Sequence, residues 1–211
     1  PMTWSSSTGS IGSNGLFTPT TAGTTTITSC FGLVCGSQNI TVTPGAPVDL
    51  IVSPLTATIT ADETLTISAE MADQHGNFNT GETIDLTPSN GSMMGTTFMP
   101  YAAGTHTVTV SHPASGQQVV VTITVLPGAP SYFVMSGCEG TVPAGVWCDI
   151  TLDLYDQFGN ALALSEAGNL TWSTTNGNYS EINQQYYPDH VGVWSLAVTS
   201  VSGVSAEMNI T

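Results

Sequence analysis

Two short motifs recur in this chain at one spacing. Pro44-Gly45-Ala46-Pro47 returns 83 residues on as Pro127-Gly128-Ala129-Pro130. Asp73-Gln74-His75-Gly76-Asn77 returns, again 83 residues on, as Asp156-Gln157-Phe158-Gly159-Asn160. Two independent motifs at one period mark a tandem repeat. A unit of that length is large enough to bury its own core. The spacing therefore divides the chain into units 46–128 and 129–211, with 1–45 left over.

The leftover segment is the back half of the same unit. Phe17-Thr18-Pro19 followed by Ala22-Gly23-Thr24 matches Phe98-Met99-Pro100 followed by Ala103-Gly104-Thr105. The third version is Tyr186-Tyr187-Pro188 followed by Val191-Gly192-Val193. Thr3-Trp4-Ser5 echoes Thr171-Trp172-Ser173. Residues 1–45 are thus expected to supply about four strands and to lack the first two or three. Any leader or membrane anchor is expected to lie outside 1–211.

The units read as all-β. Leu65, Ile67, Ala69 and Met71 alternate along one strand face, as do Val108 and Val110, then Val119, Val121 and Ile123. Alternation of period two is a strand signal, and no helical period of useful length appears. Strands at this spacing over about 83 residues read as a seven-stranded β-sandwich. The Pro-Gly-Ala-Pro joints are short and stiff, so the units are expected to string into a rod.

Charge narrows the function. The 211 residues include no Lys or Arg and 15 Asp or Glu, a formal net charge of −15. None of these acids lies in 1–45. Nucleic-acid binding is excluded, because phosphate neutralisation needs Lys or Arg. Docking on an anionic membrane is disfavoured for the same reason, and no apolar run is long enough for a membrane helix. Charged residues are 7 % of the chain, against roughly 25 % in ordinary domains. Thr, Ser, Gly and Asn fill the polar faces. This is the composition of a secreted β-protein from a salty or protease-rich setting, and trypsin finds no cleavage site in it.

Four cysteines sit in two local pairs. Sliding by 83 places Cys148 on Leu65 and Cys138 on Leu55. Both members of one apolar contact have become Cys, which predicts a buried Cys138–Cys148 disulfide. Cys30 and Cys35 flank Phe31-Gly32-Leu33-Val34, at the place of the last hairpin turn, and are expected to clamp it. Disulfides imply an oxidising, extracellular compartment. A zinc site is not expected, because the pairs lie in different units with no His nearby in sequence.

No catalytic constellation is legible: no nucleophile elbow, zincin helix or phosphate loop is present. Without Lys, Schiff-base chemistry and Lys–Asn isopeptide crosslinks are impossible. His106 aligns with Trp194 and Thr25 and reads as a packing position. His75 fills the turn slot of Phe158, His112 precedes Pro113 in a loop, and His190 sits in a turn beside Asp189. The Asp-x-x-Gly-Asn segments read as Asx turns, with Asp accepting backbone N–H bonds and Gly supplying positive φ. Calcium at Asp73 or Asp156 is the alternative use, but it needs six to eight oxygens and no dense Asp cluster exists. No cofactor or metal is expected. Sequons stand at Asn39, Asn90, Asn169, Asn178 and Asn209. Trp172, Tyr179, Tyr186 and Tyr187 are the candidate glycan contacts, with ordinary packing as the simpler use.

The Asp-x-x-Gly-Asn turns and the Phe-x-Pro-x-x-Ala-Gly-Thr stretches of 17–24 and 98–105 resemble the Ig-like repeats of bacterial and archaeal surface proteins of the invasin/intimin type. The resemblance implies tandem immunoglobulin-like β-sandwiches, the first one incomplete, and no catalytic residues. It implies a non-catalytic stalk or spacer of a large cell-surface protein. Two alternatives are an assembly element polymerising by strand complementation of 1–45, and a glycan- or protein-binding adhesin module. The expected partners are adjacent repeats, other copies of the chain or surface glycans.

Overall fold

The computed structural model describes residues 1–138 and 140–211. Every described strand is short and bounded by turns. Residues 1–45 form β1 (Met2–Ser6), β2 (Ser10–Ile11), β3 (Phe17–Thr18), β4 (Gly23–Phe31) and β5 (Val34–Val42). Residues 46–128 form β6 (Asp49–Ser53), β7 (Thr56–Thr60), β8 (Leu65–Thr66), β9 (Ser68–Ala72), β10 (Phe78–Asn79), β11 (Asp85–Pro88), β12 (Ser92–Met94), β13 (Thr97–Met99), β14 (Gly104–His112) and β15 (Gln117–Leu126). Residues 129–211 form β16 (Pro130–Gly137), β17 (Cys148–Asp156), β18 (Ala161–Leu162), β19 (Leu170–Thr174), β20 (Asn178–Ser180), β21 (Gln185–Tyr187), β22 (Trp194–Ser200) and β23 (Ser205–Ile210). The one described helix is a 3₁₀ turn at Leu164–Ala167.

In the middle unit a sheet β11-β14-β15-β7 faces β10-β9-β6, and β12-β13-β8 closes one end. The alternation expected along 65–71 holds: Ile67 and Met71 are buried, and Leu65 and Ala69 pack against them. The run is nonetheless two strands. At Ile67, whose N–H donates to Thr96 O, pairing passes from β13 to β6. Val108, Val110, Val121 and Ile123 are fully buried opposite, so one cluster runs from Leu50 to Val125. Fully burying each such side chain contributes about 1.5–3 kcal/mol relative to exposure.

Strand register relates the units more finely than the motif spacing. Thr25 pairs with Ile40, His106 with Ile123 and Trp194 with Ile210. Trp4, Leu86 and Trp172 hold one further place, opposite Ser29, Val110 and Val198. The echo of Trp4 in Trp172 is therefore a true register match. The constant spacing of 83 is not. It holds as far as the Asp-x-x-Gly-Asn turns, after which the last unit gains residues in loops. Residues 1–45 carry five strands rather than about four. They match β11 through β15, and no counterpart of β6–β10 precedes them among the described residues.

That difference shows in burial. Ile123 and Ile210 are 0 % and 1 % exposed, while Ile40 is 36 % exposed. Phe98 and Tyr186 are fully buried, while Phe17 at the same place is only half-buried. Phe31 and Val34, at the tip of the β4–β5 hairpin, are exposed.

One glycine recurs in all three units because an aromatic side chain and the carbonyl of the residue after it take its side-chain space. A Cβ on Gly9 would meet Thr18 O at 2.6 Å and the Phe17 ring. On Gly91 it would meet the Phe98 ring at 2.7 Å and Met99 O at 2.8 Å, and on Gly177 it would run into Tyr187 O. Gly91→Ala is expected to cost about 1–3 kcal/mol from overpacking, on top of ~1–2 kcal/mol for its left-handed backbone. Gly95→Ala, at φ 61° with open space around it, carries only the second cost. Urea unfolding of the two variants separates the effects. Equal losses would mean that the ring does not occupy the site.

Candidate functional site: the joints between repeats

The Asp-x-x-Gly-Asn turns lie where one repeat meets the next. The Asp73 carboxylate is 3 % exposed and Asp156 is fully buried. A buried carboxylate needs donors, and this chain has no Lys or Arg to supply them. The turn supplies them from its own backbone. Asp73 Oδ1 accepts from His75 N at 2.8 Å and Asn77 N at 3.0 Å. Asp156 Oδ1 accepts from Phe158 N at 2.8 Å and Asn160 N at 2.9 Å. The Asx turn read from the sequence is present in both copies, with Gly76 at φ 79° and Gly159 at φ 85°.

The second carboxylate oxygen reaches the linker. Asp73 Oδ2 accepts from Gly45 N at 2.8 Å, and Asp156 Oδ2 from Gly128 N at 2.8 Å. A Cβ on Gly128 would lie 3.2 Å from the Asp62 carboxyl carbon and 3.3 Å from Asp156 Oδ2. The glycine of Pro-Gly-Ala-Pro is thus a contact residue as well as a bend. Asp62 adds a second hold on the same linker, its Oδ2 accepting from Ala129 N at 3.2 Å.

The closing asparagine spans the joint. Asn77 donates Nδ2 to Asp73 Oδ2 at 2.9 Å and to Thr20 O at 3.1 Å, and its Oδ1 accepts from Ala22 N at 2.8 Å. Asn160 donates to Asp156 Oδ2 at 2.7 Å and to Tyr101 O at 3.0 Å, and accepts from Ala103 N at 2.7 Å. Asp and Asn of one repeat therefore grip the linker and the Pro-x-x-Ala-Gly loop of the repeat before it. That loop is itself braced: His106 Nε2 donates to Ala102 O at 2.7 Å, and Trp194 Nε1 donates to His190 O at 2.9 Å. A cavity of about 400 Å³ beside the first joint is lined by Pro19, Val42, Val48 and His75.

These bonds set the protonation of the carboxylates. Asp73 is held well below the usual carboxylate range, first by the Asn77 side chain and then by Gly45 N–H. Burial pushes Asp156 upward, but the bonds from Asn160 and Gly128 outweigh it and the net shift is downward. Asp62 is lowered by the Thr60 hydroxyl and Ala129 N–H.

The other site residues fall as follows. Cys30–Cys35 and Cys138–Cys148 are both disulfides, with Cα–Cα distances of 4.1 and 5.4 Å. The first joins directly paired residues of β4 and β5 beside the Gly32-Leu33 turn. The second, expected to be buried, is half-buried: Cys138 follows β16 into a loop, and both sulfurs pack at the margin of the core cluster of Ile150 and Tyr186. Tyr186 is withdrawn from the glycan contacts: it is fully buried and donates to Asn176 O at 2.6 Å. Tyr187 stands apart against Trp147, ring centroids 5.0 Å apart. Trp172 and Tyr179 stack at 4.0 Å, and burial, then Glu181, raises the Tyr179 phenol. Asn39, Asn90, Asn169, Asn178 and Asn209 are all exposed. Among the described residues no three His, Cys, Asp or Glu gather into a metal set.

Sequence reasoning missed His112. It is the last inward residue of β14, not a loop residue, and is 1 % exposed. Its ring sits between Ser115 Oγ at 2.8 Å and Glu82 Oε2 at 3.1 Å. The alternation His106, Val108, Val110, His112 was the available signal.

Asn160→Ala removes every side-chain bond that crosses the second joint from this position. At about 0.5–1.5 kcal/mol per neutral bond, it is expected to loosen the joint while both flanking cores stay folded. Small-angle scattering should broaden with an unchanged circular dichroism spectrum; an unaltered profile would mean the bonds do not hold the joint. The pH dependence has a definite sign. Folded-state values below the unfolded ~3.9 give stabilisation that is complete above that value and is lost as pH falls through the folded values. Scattering should be constant from neutral pH to about pH 5 and broaden only well below pH 4. Loosening between pH 5 and 7 would contradict the assignment.

No family model and no curated protein sequence matches the chain. Solved structures do. FdeC, an adhesin of Escherichia coli, matches at 16 % identity over 100 % of this chain and 85 % of its own, with a TM-score of 0.53. Invasin, a bacterial integrin-binding protein, matches at 16 % identity over 99 % of this chain and 51 % of its own, TM-score 0.41. Domains 4–9 of the surface-layer protein SbsC match at 18 % identity over 99 % of this chain and 38 % of their own, TM-score 0.29. The structural neighbours are Ig-like domains of bacterial adhesins and surface-layer proteins, as the sequence motifs imply, and the likeness to FdeC establishes the all-β, tandem Ig-like architecture.

Proposed function

We propose that this chain is a length of stalk in an extracellular cell-surface protein, a non-catalytic spacer that fixes distance and direction. The units are 1–45, 46–128 and 129–211. The observation that carries the reading is the duplicated joint. Two successive joints are closed by the same bonds: Asp73 to Gly45, Asn77 to Thr20 and Ala22, then Asp156 to Gly128, Asn160 to Tyr101 and Ala103. Identical joints pass one fixed rotation from repeat to repeat, which is what a spacer requires. The disulfides and the lack of trypsin sites suit a surface setting. The neighbours named adhesins and surface-layer proteins support that setting by analogy of fold alone. The exposed sequon asparagines are the glycosylation sites if the source glycosylates.

A second reading rests on a separate observation. Ile40, Phe31, Val34 and Met2 are exposed on β1, β4 and β5, where the other units bury their counterparts or pack a second sheet. A sheet face of this kind takes a second sheet packed against it, and free sheet edges accept added strands. In that reading the first unit is incomplete and is completed by strands from another segment or copy.

Sedimentation velocity over a hundredfold dilution tests both. A single elongated monomer supports the stalk. Oligomers that disappear when residues 1–45 are deleted support completion by another copy. A compact monomer would overturn the stalk reading.

A further inference from the structure

The third repeat is longer than the second at two places, and the two insertions meet. Nine positions separate Asn77 from Leu86, but twelve separate Asn160 from its register match Trp172. The added length holds the 3₁₀ turn at Leu164–Ala167. The β12–β13 loop is Gly95-Thr96, but the β20–β21 loop is Glu181-Ile182-Asn183-Gln184. Both insertions border one cleft of about 580 Å³, the first through Leu164, Gly168 and Asn169, the second through Glu181 and Gln184.

The cleft enters the core itself. The middle repeat has one continuous hydrophobic cluster, whereas the third has two, bridged by Met135 and Trp172. Leu152 belongs to one cluster and Ile150 to the other, and both line the cleft. Its wall is the stacked pair Trp172 and Tyr179. The Asn169, Glu181 and Gln184 side chains at its rim make no hydrogen bond within the described residues. Gln184 also holds a left-handed backbone at φ 52°, fixed where its carbonyl accepts from Ile150 N at 2.8 Å. Non-glycine residues keep such a conformation when the surroundings over-determine it, and they concentrate at ligand sites.

We propose that this cleft is a binding site for a neutral saccharide. An aromatic wall suits the C–H face of a pyranose, and two amides and a carboxylate suit its hydroxyls. Acidic sugars are rejected, because Glu181 stands at the mouth and no Lys or Arg exists to pair with an anion. The middle repeat carries neither insertion, so the site is assigned to 129–211. It is independent of the stalk reading, since a spacer with or without it keeps its joints.

The test is saturation-transfer NMR on the full chain, followed by titration. The probes are methyl β-D-galactopyranoside, methyl α-D-mannopyranoside, methyl β-D-glucopyranoside and N-acetylglucosamine, with N-acetylneuraminic acid as the acidic control and a Lys/Arg-rich peptide as the protein-ligand control. Trp172 bridges two core clusters, so the variants are Gln184→Gly, which relieves the backbone, and Glu181→Ala, which is exposed. We expect one neutral probe to bind, to weaken tenfold or more in the double variant with its melting temperature retained, and to outbind N-acetylneuraminic acid by at least tenfold. No binding by any neutral probe, equal binding by the double variant, or preference for the acidic sugar or the basic peptide would overturn the proposal.

Discussion

The buried carboxylate at the head of each Asp-x-x-Gly-Asn turn is the constraint on which the arrangement of this protein depends. Taking a carboxylate out of water is costly unless donors meet it. With no Lys or Arg in the chain, those donors are backbone N–H groups and one amide. Their positions fix the geometry. Two come from the turn, one from the linker glycine, and the amide belongs to an asparagine that is already bonded to the preceding repeat. Satisfying one charge thereby ties together three pieces of chain distant in sequence.

Hydrogen-bonded carboxylates of this kind differ physically from ion pairs. Among the described residues the single carboxylate–imidazole contact is Glu82 with His112 at 3.1 Å, and no Lys or Arg is present to form an ion pair. Bonds from a fixed backbone donor are screened by salt far less than exposed charge pairs are. They also lose little side-chain entropy, because Asp and Asn are short. A chain with a formal net charge of −15 repels itself in dilute salt. Joints made of polar contacts keep their geometry across salt conditions, and the repulsion favours extension.

The repeats share one plan, but the sequence signal for it is uneven. The carboxylate turns, the Gly-aromatic pairs and the alternating valines survive in recognisable form, because each has a local physical reason to be conserved in type within the chain. Both cysteine pairings were legible, since the members of each pair lie close in sequence. The period itself misled. A constant 83 is kept only where the joint demands it, and loops that touch no joint changed length freely. His112 was misassigned to a loop because Pro113 drew the boundary one residue early. Tyr186 looked available for a ligand because its partner surfaces lie far away in sequence.

By itself, the sequence determined the repeat, the all-β class and the turn chemistry of Asp73 and Asp156. These follow from periodicity and short-range hydrogen bonding, which are local properties of the chain. The tertiary structure decided the rest. It placed Asn77 against Thr20 and Asn160 against Tyr101, pairings 57 and 59 positions apart, and so turned two Asx turns into joints. It brought the 3₁₀ turn and the β20–β21 loop to one cleft. Each depends on which elements meet in space, and no periodicity in a sequence encodes the distance between two loops.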